Sequence, residues 1–136
     1  MTTPFVMYLT NPKRKADCLL FRKFLEREKN VEPYDCLAAI AEFRGIALKK
    51  PVTLNLPAKF QKDQRPGDMA EFIFAKWFHK GSRDEVNVSG EGLAALLKAK
   101  TEPEMFKSVE SEIEKGLIEP WMRYLTVVKG LPVVDD

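Results

Sequence analysis

The chain has 136 residues, 22 Lys plus Arg against 20 Asp plus Glu, a formal net charge of +2 and 45% hydrophobic residues. A chain of this size folds as one domain burying roughly two-thirds of its unfolded surface, so a single domain over residues 1–136 is expected. Collagen, a disordered tail and a membrane span are excluded, since no run approaches about 18 apolar residues, and the near-balanced charge leaves no basic footprint for nucleic acid.

The N-terminal row MTTPFVMYLTNPKRK holds Pro4 and Pro12 and places its charges after the apolar stretch. That is the reverse of a secretory signal, so a cytoplasmic location is expected. The cluster Lys13-Arg14-Lys15, and Lys49-Lys50 further on, would favour an anionic membrane surface weakly. Both serve equally as solubilising charge.

Residues 17–30 put Cys18, Phe21 and Leu25 on one face, with Leu20 and Phe24 beside them, which predicts an amphipathic helix. Pro33 then stands where a helix tolerates it, and Leu37, Ile40, Ala41 and Phe43 repeat at helical spacing up to Gly45, a natural stop. A second helix over about 33–44 follows. Pro51, Pro57 and Pro66 make 46–67 a long irregular connection, although VTLNL allows a short extended piece.

After Asp68 as the expected N-cap, Met69, Phe72, Ile73 and Trp77 mark a third helix ending before Gly81. A turn with Val86 and Val88 facing one way leads to Ser89, the expected N-cap of a fourth helix carrying Leu93, Leu96 and Leu97. Thr101 and Glu104 match a capping box for a fifth with Phe106, Val109, Ile113 and Leu117. Glu119-Pro120-Trp121 reads as a proline-marked restart of a sixth, with Tyr124, Leu125 and Val128, closed by Gly130 and Pro132. No alternating run exceeds about five residues, so the fold class is all-α with no significant sheet.

Catalytic chemistry finds little to work with. His79 is the only imidazole, sits at a helix end beside Lys80, and reads as a solvated or capping residue. Cys18 and Cys36 read as reduced core thiols, and with His79 they give no zinc spacing, so no metal and no cofactor are expected. Gly90-Glu91-Gly92 lacks the rest of a dinucleotide fingerprint. Glu26 with Glu28, and Glu110 with Glu112 and Glu114, fall on expected solvated faces. Phe21, Phe24, Phe43, Phe72, Trp77, Phe106, Trp121 and Tyr124 are expected in the core.

Three ordered pieces nonetheless resemble a known family. FRKFLEREKNVEPYDCLAAIAEFR, DEVNVS with MFKSVESEI after it, and WMRYL resemble the successive motifs of regulator of G-protein signalling (RGS) homology domains, covering about residues 17–128. The resemblance implies an all-α bundle of about nine helices. It also implies binding to activated heterotrimeric G-protein α subunits (Gα) and faster GTP hydrolysis by them. Such a domain is not itself an enzyme: Gα carries its own arginine and water-orienting glutamine, and the partner holds the switch segments in place. A non-catalytic interaction or scaffold module of the same fold is the alternative. Either would work as a monomer in the cytoplasm, with the inner face of the plasma membrane as a peripheral location.

Position by position, Asn87 matches the turn asparagine that touches Gα beside the glutamine, with Val88 and Ser89 next to it. Its other reading is a turn-former before the Ser89 helix, since asparagine tolerates left-handed geometry. Glu32 matches the glutamate of a Glu-Asn motif whose asparagine is replaced here by Pro33. Arg123 matches the arginine of the last motif, expected to support the contacting loop through a nearby acid, and Glu119 stands near an aspartate of the family. Gly90 replaces a small polar residue after the turn.

Overall fold

The computed structural model describes residues 4–50, 52–61 and 63–130. Its elements are α1 (Pro4–Thr10), a 3₁₀ turn (Pro12–Arg14), α2 (Lys15–Arg27), α3 (Glu32–Ala47), α4 (Pro66–Ile73) continuing into a π-helical turn (Phe74–Phe78), α5 (Gly90–Lys98) and α6 (Lys107–Val127). Among the described residues there is no strand. They hold six α-helices rather than the expected nine or so.

The organising element is α3. Tyr34 and every residue from Cys36 to Phe43 are buried, so this helix is covered on all sides, as an almost wholly apolar helix must be. Its small residues Ala38, Ala39 and Ala41 let neighbours approach, and α1, α4 and α6 pack around it. Burial also pushes the Cys36 thiol well above its ordinary range. Aromatic rings fill the seams. Phe5, Phe21, Tyr34, Trp121 and Tyr124 cluster where α1, α2, α3 and α6 meet, with Phe21 and Trp121 edge-on at 5.0 Å. Phe43 and Phe78 enclose Phe106 near the other end of α3. Tyr124 also donates to Asp17 at 3.4 Å, and burial with that carboxylate pushes its phenol up to about 12.

Several local expectations change. The fifth and sixth predicted helices are one helix: Val109, Ile113, Leu117, Pro120 and Tyr124 form a single buried stripe along α6. Pro120 removes one backbone donor, a cost of about 3 kcal/mol in a helix interior, but continuous burial on both sides of it keeps the helix intact. Thr101 and Glu104 do not start it. Burying Phe106 holds residues 101–106 in turns, and the helix begins at Lys107. The N-terminal residues supply α1 in exchange.

Gly45 lies inside α3 rather than ending it. A Cβ there would meet the Lys50 carbonyl at 3.0 Å and the Val52 amide at 3.3 Å, so glycine is needed for the returning chain, and Lys49 takes the left-handed terminal position (φ 58°). The N-cap of α4 is Arg65, with Pro66 opening the helix and Asp68 within its first turn. Phe72 is 44% exposed, touching Phe60 edge-on instead of entering the core. Pro51 and Pro132 lie outside the described residues.

The irregular connection runs from Leu48 to Arg65, since α3 keeps residues 46–47 and α4 takes 66–67. Two buried polar side chains hold it down. Asn55 donates through Nδ2 to the carbonyls of Tyr8 (2.5 Å) and Asn11 (2.8 Å), and its amide N–H donates to Leu9 O. The Glu42 carboxylate accepts from the amides of Lys59 (2.9 Å) and Phe60 (3.2 Å). Leu56 and Phe60 are thereby buried as a wall of the core.

Candidate functional site

The α2–α3 turn, the 79–89 loop and the middle of α6 converge on one end of the bundle. The first is tight: Asn30 N–H bonds Leu25 O at 2.9 Å, and Lys29 takes φ 56°, a left-handed position where glycine would cost less. Val31 caps α3, so Glu32 and Pro33 are its first two residues. A proline there forfeits no intrahelical bond, because the first four N–H groups of a helix have no partner within it. Arg22 clamps the turn from below with a bidentate pair to Asp35, 2.8 Å on both arms, and that hydrogen bonding raises the guanidinium pKa.

The 79–89 loop leaves α4's π-helical extension at His79, which is exposed and closes the helix through its own N–H to Phe74 O (2.9 Å). Gly81 adopts φ 88°. Lys76 binds Asp84 at 2.8 Å, which holds that carboxyl below its usual range. Val86 is buried and its N–H bonds Trp77 O at 2.7 Å. Ser89 caps α5, its Oγ accepting from Gly92 N–H at 2.9 Å while donating to Glu112 Oε2 at 2.9 Å. The Ser89 N–H donates to Glu112 Oε1 at 2.7 Å. Between these fixed ends Asn87 is exposed.

The result is a cleft of about 220 Å³ with Asn30, Glu32 and Pro33 on one wall and Glu85 and Asn87 on the other. Glu112, Ile113 and Gly116 of α6 form its floor. Of the residues singled out in the sequence, Glu32, Pro33 and Asn87 therefore share one site. Val88 turns half-buried toward the core, and Ser89 directs its hydroxyl and amide to Glu112, so both position the loop. Arg123 and Glu119 lie outside the cleft. Arg123 bonds Glu28 (2.6 Å) at the α2–α3 turn, which raises its pKa, and pairs with Glu119 on its own helix.

Asn30, Glu85 and Glu112 were not picked out from the sequence. The carboxylates expected on solvated faces are also engaged: Glu26 and Glu28 stay exposed, Glu110 and Glu112 are half-buried, and all four have partners. Glu28 holds Arg123, Glu26 holds Arg22, and Glu112 holds Ser89. Glu110 holds Arg44 at 2.5 Å across α3 and α6, although burial raises its pKa. Gly92 leaves room for the Glu112 carboxylate, with which a Cβ there would collide.

Amides and carboxylates thus line an open cleft between helices of the described residues. The family model for the regulator of G protein signaling (RGS) domain matches residues 11–125, and the chain belongs to that family, placing it within G-protein signalling. No curated protein and no solved structure matches the chain.

Proposed function

We propose that this domain binds activated Gα and accelerates GTP hydrolysis by holding its switch segments, with Asn87 as the central contact. The observation that carries this reading is the placement of exposed Asn87, on a loop fixed at both ends, across one cleft from Glu32. A carboxamide offers two donors and an acceptor with no charge to desolvate, which suits orienting another protein's groups rather than performing chemistry. Arg123 and Glu112 act as positioning residues beneath the two walls.

A second reading has its own support. Pro33 lines the cleft where the family pattern has an asparagine, so that position carries no amide beside Glu32, and Gly90 offers no side chain although its surroundings are open. A module that binds without accelerating, or accelerates weakly, fits those two positions.

Single-turnover GTP hydrolysis by purified Gα subunits, with binding to their GDP, GTP-like and transition-state-like forms, separates the two. Faster hydrolysis with selective transition-state binding supports acceleration; binding without faster hydrolysis supports the scaffold. In the first case Asn87→Ala lowers stimulation by about tenfold or more, in line with loss of one well-held hydrogen bond, while the folded protein keeps its helicity. Loss of helicity with unchanged affinity of the folded fraction would return Asn87 to a turn-forming role. Pro33→Asn raises stimulation if the missing amide limits it, and no change in a natively folded variant removes that explanation.

A further inference from the structure

We infer that the outward face of α2 is a docking surface for an anionic phospholipid membrane. Lys15, Leu19, Lys23 and Arg27 recur every four residues and so form one ridge of the helix, with Leu20 in the next row. All five are exposed, and Leu19 and Leu20 remain 40% and 43% accessible although leucine is among the residues most often buried. Lys13, exposed in the preceding 3₁₀ turn, extends the basic end.

The acids of α2 do not offset this charge. Asp17 turns toward α6, where Lys129 (2.9 Å) and Tyr124 engage it; Glu26 pairs with Arg22 at 2.5 Å and Glu28 with Arg123 at 2.6 Å. Lys13, Lys15, Lys23 and Arg27 make no ion pair with any described residue. Four cations thus flank two leucines over a helix about 20 Å long. The surface is a convex ridge rather than a groove. A protein partner would need a matching trough, whereas a fluid bilayer takes in the leucines and lets the lysine and arginine stems reach its phosphates without shape complementarity. The two other basic features differ: Arg14 lies over the Tyr8 ring and beside Asp17, and Lys49-Lys50, although flanked by exposed Leu48 and Val52, supplies two cations beyond the end of α3 rather than a row along a helix.

This inference rests on α2 and Lys13 of the turn before it and is independent of the cleft. Co-sedimentation with phosphatidylcholine vesicles, with and without phosphatidylserine, tests it. Binding is expected only with phosphatidylserine and falls as salt rises. Lys15→Gln with Lys23→Gln lowers partitioning about thirtyfold, each charge near such a surface being worth about 1 kcal/mol. Leu19→Ser with Leu20→Ser weakens binding while leaving its salt dependence. Lys98→Gln with Lys100→Gln, the same charge change elsewhere on the surface, leaves binding intact. All three pairs are exposed and should keep the native circular dichroism spectrum. Equal loss in the Lys98/Lys100 control, binding to phosphatidylcholine alone, or no binding to the phosphatidylserine vesicles would each overturn the assignment.

Discussion

Two irregular segments of this domain, 48–65 and 79–89, are built on different plans. The longer is pulled inward at its middle, where Asn55 and the amides facing Glu42 lie against the helices and Leu56 and Phe60 join the core. The shorter is held on either side of Asn87, by Lys76 with Asp84 and by buried Val86 on Trp77 O before it and by Ser89 with Glu112 after it, and leaves Asn87 outside. Inward anchoring makes a loop part of the folding unit. Anchors on either side of one residue keep the backbone ordered while that side chain stays exposed, and an ordered loop loses less entropy if it is bound.

Breaking the inward anchor should have the largest effect. Glu42→Ala leaves two backbone donors without their acceptor at a site only 6% exposed, and a loss of about 3 kcal/mol, roughly 10 °C in Tm, is expected by chemical and thermal denaturation. A change under about 0.5 kcal/mol would mean that the loop is not part of the cooperative unit. Breaking an end anchor should cost less. Glu112→Ala removes two exposed hydrogen bonds, about 1 kcal/mol in all, and its more informative readout is faster hydrogen exchange at 85–89 with the core unaffected.

The smallest effect concerns pH and sharpens the comparison at the other end of the same loop. Asp84 is held below its ordinary pKa by the Lys76 hydrogen bond, so its folded value lies under its unfolded one. Its contribution is therefore present above about pH 4 and is lost as pH falls through the folded value. Asp84→Asn should lower stability by a few tenths of a kcal/mol at pH 7, where the pair contributes, and give a correspondingly shallower loss between about pH 5 and pH 2, the two proteins converging at the acid end, measured by denaturation at each pH. An unchanged acid limb would show that the loop is held without this pair.

Much of the helical order was readable in the chain. The stripe of Cys18, Phe21 and Leu25, the cap at Ser89 and the apolar density of α3 each depend on residues close in sequence, and each appears as expected. Errors arose where a local signal met a distant demand. Thr101 and Glu104 have capping-box chemistry, but Phe106 had to reach Phe43 and Phe78; Pro120 looks like a restart, but the buried stripe runs through it, and Gly45 looks like a stop, but α3 continues to Ala47 with Lys50 and Val52 packed against the glycine. For the site, the order of motifs brought Glu32, Pro33 and Asn87 to notice, yet nothing local says that a turn after α2 faces a loop some fifty residues later.

The periodicity of apolar residues fixed the class of this protein, and the RGS motifs in their order fixed its family, because both are carried by short-range spacing. Which carboxylates would be engaged was left to the tertiary structure. Glu110 and Glu112 are two residues apart on one helix with the same chemistry, yet one faces Arg44 and the other the amide of Ser89. A charged side chain takes its partner from whichever element packs beside it, and that neighbour is chosen by the burial of the whole core rather than by the residues next in line.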